Sequence, residues 1–146
     1  MTLNNAGHLL DVDVLVAFTD EDHEHHKIVR NWFIRESKNA WGLCAFTEAG
    51  FLRVTTRPKT GGRTFEQASA MLAQLVIRPG YRYWPITSEW SVLAAPFRNR
   101  LFGHQQITDA YLLGLAVKEN GVLVTLDRAM SHLAGAQYSR NLVILE

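Results

Sequence analysis

Thr108-Asp109-Ala110-Tyr111-Leu112-Leu113-Gly114-Leu115-Ala116-Val117-Lys118-Glu119-Asn120-Gly121-Val122-Leu123-Val124-Thr125-Leu126-Asp127 is the stretch that decides the fold. Its first half is an apolar helical segment that Thr108 can cap and Asn120-Gly121 can end. Val122 to Leu126 then reads as a buried strand, closed by an aspartate. A helix returning through a tight turn into a short apolar strand is the repeating unit of a parallel sheet. The same alternation runs upstream. Leu9 to Val16 is read as the first strand and its exit, Trp41 to Phe46 as a second and Tyr81 to Pro85 as a third, with Leu142 to Leu145 closing. Between them the spacing predicts a helix from Asp22 to about Arg35, carrying Ile28, Val29, Trp32 and Phe33. A second helix is capped by Thr47 and ended by Arg57-Pro58. A third is opened by the Thr64/Gln67 capping-box pair, with Ala68, Met71, Leu72 and Leu75 on one face. A fourth is capped by Ser88 and stopped near Pro96. The expected class is α/β with a mostly parallel sheet, formed by one domain over residues 1–146.

The totals agree with that expectation. The 146 residues suffice for one domain with a real core, and 47% hydrophobic with 20% charged residues is an ordinary globular composition. No apolar run approaches the roughly 20 residues of a membrane span. Met1 to His8 has neither a basic nor a long apolar region, so no secretory signal is expected. The single cysteine, Cys44, sits between Leu43 and Ala45 and is read as a small core residue. These features favour a reducing cytoplasm. The formal charge of +1 is uninformative, but Arg53, Arg57, Lys59 and Arg63 follow one another with no acidic residue among them. Such a stretch can track a phosphate backbone.

Four carboxylates stand where folding alone explains them least. Asp11 follows Leu9-Leu10, Glu48 follows Cys44-Ala45-Phe46-Thr47, Asp109 opens the apolar helix, and Asp127 ends the apolar strand. Carboxylates are rarely buried unless paired or bound to a cation. In an open parallel sheet the active site lies beyond the carboxyl ends of the strands. Asp11 and Asp127 belong there, and Glu48 and Asp109 fall in first helical turns at that same edge. Taken singly, Glu48 and Asp109 are ordinary partners of a helix dipole. Taken as a set, the four predict an acidic pocket that collects Mg²⁺ or Mn²⁺, since hard cations take oxygen ligands. That predicts metal-assisted phosphoryl chemistry. Thr125 and Thr108 could orient carboxylates or waters, against their plainer roles as a strand residue and a helix cap.

At these residues the sequence resembles the PIN-domain ribonucleases, and most closely the VapC-type toxins of bacterial toxin–antitoxin pairs. The resemblance rests on Leu9-Leu10-Asp11-Val12-Asp13-Val14-Leu15, Thr47-Glu48-Ala49-Gly50-Phe51-Leu52-Arg53, Gln106-Ile107-Thr108-Asp109-Ala110-Tyr111-Leu112-Leu113 and Val124-Thr125-Leu126-Asp127-Arg128. It implies a three-layer α/β/α fold around a central parallel sheet. The family's four acidic positions match Asp11, Glu48, Asp109 and Asp127. It further implies bound Mg²⁺ or Mn²⁺, endonucleolytic RNA cleavage, a homodimer, and a cognate antitoxin whose tail covers the site. Many relatives carry Asn two residues after the first Asp. This chain has Asp13, to which a supporting role is assigned.

The same residues admit competing readings. Asp11-Val12-Asp13-Val14-Leu15 also resembles the first motif of haloacid-dehalogenase-type phosphatases, with Asp11 as nucleophile, but Asp127 lacks the acidic neighbour that family needs. A non-catalytic RNA- or protein-binding module is the third class. His23-Glu24-His25-His26 lacks the i, i+4 spacing of helical zinc pairs and is read as a solvated first helical turn. His104 is read as a surface residue before a phosphate contact. Trp32, Trp41, Trp84 and Trp90 are read as core or dimer interface.

Overall fold

Leu9 and Leu10 are adjacent in sequence, are 0% and 1% exposed, and belong to two different cores. Leu123 and Val124 divide in the same way. Neighbouring residues of a strand point to opposite faces, so a strand apolar at every position must be covered on both. That requirement produces three layers. The structure, a computed structural model, describes residues 7–36 and 39–146. Residues 1–6 and 37–38 of the expected 1–146 domain lie outside the described residues.

The chain runs β1 (His8–Leu10), α1 (Val12–Thr19), α2 (His26–Glu36), β2 (Trp41–Leu43), α3 (Ala45–Thr56), α4 (Phe65–Val76), β3 (Tyr81–Tyr83), α5 (Trp90–Leu93), α6 (Ile107–Lys118), β4 (Val122–Thr125), α7 (Met130–Ala134) and β5 (Leu142–Ile144). Short 3-10 turns occupy Ala95–Arg100, His104–Gln106 and Ser139–Asn141. Among the described residues the five strands lie in the order β3-β2-β1-β4-β5, and every pairing is parallel. One face is covered by Val14 and Leu15 of α1, Trp32 and Phe33 of α2, Phe51 of α3 and Leu75 of α4. The other is covered by Phe97 and by α6 and α7, through Leu112, Leu113, Leu115 and Leu133. Trp32, Trp41 and Trp84 are core residues, and Trp90 is half-buried against Tyr111 with ring centroids 4.9 Å apart.

From β1 the chain moves outward to β2 and β3; from β4 it moves the other way to β5. The order therefore reverses between β1 and β4. In open α/β sheets that reversal leaves a crevice at the carboxyl ends, where ligands bind.

Several sequence expectations are corrected. The first strand ends at Leu10, and Val12–Thr19 is a helix. Val12, Val14 and Val16 alternate like strand residues, but Asp11 caps the helix and the buried set Val14, Leu15 and Ala17 is helical. The second helix begins at His26, four residues later than expected, with His26 Nδ1 2.8 Å from the Ala17 carbonyl oxygen. His23, Glu24 and His25 thus precede the helix. Thr47 lies inside α3, because Cys44 is its N-cap. The Thr47 hydroxyl accepts the Cys44 N–H and donates to the Cys44 carbonyl, each at 2.9 Å. Ser88 is not a cap either, since Glu89 holds that place before α5. The Thr64/Gln67 box stands as expected, with the Gln67 N–H donating to Thr64 Oγ1 at 3.1 Å.

Candidate active site

The side chain of Asp11 is used twice by the fold. As N-cap of α1 its Oδ1 accepts the Val12 N–H at 2.8 Å, satisfying a donor the helix leaves open. Its Oδ2 accepts the Thr125 hydroxyl at 2.8 Å. Thr125 is the last residue of β4 and is fully buried. Since β1 and β4 are the two strands at the reversal, this bond spans the crevice predicted by the topology. The same hydroxyl oxygen lies 3.3 Å from Asp13 Oδ2 and accepts the Asp127 N–H at 3.1 Å. Asp13 in turn accepts the Leu126 N–H, at 3.2 and 3.3 Å to its two oxygens. One threonine therefore fixes three acidic residues. A hydroxyl has one proton to donate, and the shorter contact assigns it to Asp11.

Asp127 Oδ1 accepts the Ala129 N–H at 2.9 Å, the local turn that holds its carboxylate at the end of β4. Asp109 stands in the first turn of α6, half-buried. Asp109 and Asp127 line one open cleft of about 500 Å³, together with Phe102, His104, Gln105, Gln106 and Ala129. Asp11 sits behind them.

Burial, with the nearby charge of Asp127, raises the carboxyl pKa of Asp11 above the ordinary carboxylate range, against the Thr125 and Val12 hydrogen bonds that lower it. Burial and then the Asp11 charge push Asp13 up to about 7. Burial, then Asp11 and Asp127, push Asp109 up to about 6. Partial burial and the neighbouring carboxylates both disfavour the charged form of Asp11, Asp13 and Asp109.

The structure thus brings together Asp11, Asp13, Asp109, Asp127 and Thr125. Glu48 is in the first turn of α3. The Phe46 ring of α3 packs 4.8 Å from that of Tyr111 of α6, so the N-terminal halves of the two helices touch through these rings. Gly50 lets α3 close on α1, since a Cβ there would meet Val12 Cγ2 at 2.4 Å. The Glu48 charge bears on Cys44 and Tyr81, and it is not among the causes of the Asp11, Asp13 or Asp109 shifts. Thr108 is exposed and lies within α6, whose N-cap is Gln106, so it does not cap the helix. Arg53, Arg57, Lys59 and Arg63 are exposed, and none lines the cleft of Asp109 and Asp127. The reason is helix direction: α3 carries the chain about 14 Å along its axis from Glu48 to Arg57 at 1.5 Å per residue. Arg63 lines a separate cleft with Asp20 and His23. His104, expected at the surface, does line the acidic cleft. The sequence reading missed Phe102 and Gln105 there; the irregular chain before α6 gave no periodic signal.

The donor set suits a hard divalent cation, being all oxygen and carrying mutual repulsion that such a cation relieves. Among the described residues no three of these side chains are drawn to one point.

Comparison with known proteins gives a family. The PIN domain model matches residues 8–136. Ribonuclease VapC39 of Mycobacterium tuberculosis is 35% identical over 130 residues, covering 88% of this chain and 94% of that protein. Ribonuclease VapC44 of the same organism is 36% identical over 124 residues, covering 84% and 87%. The crystal structure of VapBC2 from Rickettsia felis bound to a DNA fragment from their promoter contains a chain that superposes with a TM-score of 0.69. It covers 96% of this chain and 99% of that one at 15% identity, a likeness of fold.

Proposed function

The chain belongs to the PIN domain family, and from that premise we propose that it is a metal-dependent endoribonuclease acting as the toxin of a toxin–antitoxin pair. The observation that carries the reading is the Thr125 hydroxyl joining Asp11 to the start of the Asp127 turn across the reversal of the sheet. It ties a partly buried carboxylate to an exposed one at the place where an α/β sheet binds its ligand. The relatives named as ribonucleases support the substrate class.

In this reading Asp11, Asp109 and Asp127, with Glu48 at the neighbouring helix start, hold Mg²⁺ or Mn²⁺. When bound there, such an ion would supply the positive charge that lowers the pKa of a water and offsets charge on a phosphodiester's leaving oxygen. Thr125 keeps one Asp11 oxygen oriented, and the Ala129 N–H does so for Asp127. Asp13 braces the end of β4 through the Leu126 N–H and stands behind Asp11 as a supporting carboxyl. Arg53, Arg57, Lys59 and Arg63 touch only RNA long enough to leave the cleft. Thr108, exposed beside Asp109, is assigned a minor orienting role. The toxin role further implies a basic antitoxin tail that pairs with the carboxylates, a homodimer, and action in the cytoplasm. Among the described residues no helix is long and apolar enough to cross a membrane.

Asp127 is followed by Arg128 and lacks the acidic neighbour of the phosphatase pattern, which counts against Asp11 as a phosphatase nucleophile. A non-catalytic module remains as the outcome of a negative test. Cleavage of single-stranded RNA is expected to stop in excess chelator and to return with Mg²⁺ or Mn²⁺, but poorly with Ca²⁺, whose looser coordination orients a nucleophile less well. Cleavage that survives chelation would sink the reading. Replacing all four basic residues by Ala should weaken binding of long RNA and flatten its salt dependence, with a short oligonucleotide unaffected. Equal loss for both lengths would put these residues back at the cleft.

A further inference from the structure

Phe102 is 87% exposed, the most exposed of the large hydrophobic side chains among the described residues. Single exposed apolar residues are common on any surface and need no explanation. Phe65 and Ile77, at 65% and 74%, are of that kind, on helix α4 and its C-cap. Phe102 differs in its position, because it lines the same cleft as Asp109 and Asp127. Its backbone is also held: the Phe102 N–H donates to Gln106 Oε1 at 2.6 Å, tying the residue to the turn that leads into α6. The ring is therefore presented at the mouth of the site from a fixed base. The apolar Met130 and Leu133 in the wall of the cleft are buried at 1% exposure, so among its lining residues Phe102 is the large apolar side chain that stands free, beside the carboxylates of Asp109 and Asp127. What an exposed aromatic face can offer single-stranded RNA is a stacking surface for a base.

We propose that the Phe102 ring is the platform on which a base of the RNA substrate stacks beside the bond that is cut. This rests on the ribonuclease reading above. Stacking is tolerant of base identity, so the ring sets where a strand is seated, and the exposed Gln105 amide next to it can read a base edge. The platform is specific to unpaired RNA, because a base within a duplex has no free face.

The test uses RNA hexamers with 2-aminopurine at each position in turn, bound with Mg²⁺ present to the slow-cleaving Asp127→Asn protein. One position should change fluorescence on binding. Adding Phe102→Ala should remove that change and weaken the affinity about 10-fold. Phe102→Trp should restore both, and Phe102→Leu, which keeps apolar area without an aromatic face, should not. In the otherwise wild-type protein Phe102→Ala should raise KM more than it lowers kcat, with Tm unchanged. If wild-type protein cleaves RNA and Phe102→Ala alters neither KM nor the fluorescence, the platform fails and the ribonuclease reading stands. If Phe102→Ala instead converts a dimer to a monomer with RNA binding intact, the ring belongs to a protein interface and the proposal fails. If wild-type protein neither binds nor cleaves RNA, both proposals fall.

Discussion

Asp109→Asn and Asp127→Asn are each expected to reduce RNA cleavage by about 10²–10⁴-fold while leaving the fold intact. A metal at a phosphoryl centre supplies several kcal/mol of transition-state stabilisation, and about 1.4 kcal/mol corresponds to each factor of ten. Both side chains line the open cleft, so an amide of the same shape fits without repacking. Asp11→Asn should reach a similar loss, with more disturbance, because Asp11 also caps α1 and accepts the Thr125 hydroxyl. Single-turnover cleavage and far-ultraviolet circular dichroism separate lost chemistry from lost structure. Near wild-type turnover in two of these three variants would overturn the site assignment. Glu48→Gln is the informative fourth, since the Glu48 charge does not figure among those shifting Asp11 or Asp109. A strong loss there would mean that the ligand draws Glu48 in.

The same substitution should act in the opposite direction on stability. A carboxyl that holds its proton more tightly in the folded state stabilises the fold below its unfolded pKa, and that contribution is lost as pH rises through the folded pKa. Asp109 is pushed up to about 6 and Asp13 to about 7, from an ordinary value near 3.9. In chelator, these groups should therefore make the protein more stable near pH 5 than near pH 7.5. His8 opposes this, since burial lowers its pKa and its protonation in acid costs stability. Asp109→Asn isolates one term of this balance. Its Tm in chelator should exceed that of wild type at pH 7.5, and the gap should close toward pH 5. A variant less stable than wild type at pH 7.5 would show that Asp109 makes a favourable contact that the charge argument omits.

The features legible in the sequence were those with a short-range physical signature. The helix-turn-strand of Thr108 to Asp127 carries its own length, apolar content and closing turn, and it anchors both the parallel sheet and two of the acidic residues. The capping box of Thr64 and Gln67 is similarly local. The first helix was not legible, because Val12, Val14 and Val16 supply a period of two, while the deciding facts, the Asp11 cap and the cover of Phe51 and Leu15 over one face, are tertiary. Thr47 and Thr108 mislead for a related reason: a threonine next to a helix start fits a cap equally at two positions, and backbone geometry chooses. The convergence of Asp11 with Asp127 followed from general sheet topology, whereas the distance of Arg53, Arg57, Lys59 and Arg63 from the cleft was not legible, because nearness in sequence does not set nearness in space. Phe102 had no signal, since it lies in irregular chain and its importance comes only from what it faces.

Thr125 is the residue on which the two halves of the site depend, and its replacement should cost both activity and stability. Thr125→Val keeps the β-branched shape and the buried volume but removes the hydroxyl. Asp11 Oδ2 then loses its 2.8 Å donor, Asp13 loses its 3.3 Å partner, and the Asp127 N–H loses its acceptor. Leaving buried polar groups without partners costs about 1–3 kcal/mol. Supporting contacts to metal ligands are typically worth about 10–100-fold in metal affinity or activity. Cleavage should therefore fall by that factor, part of it recovered at high Mn²⁺ concentration, because the ligands remain and only their aim is lost. Thr125→Ser, which keeps the hydroxyl, should retain most of the rate and lose some stability through the missing methyl group. Removing the acceptor should also free Asp127, so combining Thr125→Val with Asp127→Asn should cost less than the sum of the two separate losses. Full additivity would show that Thr125 supports the strand alone and does not act through the carboxylates it joins.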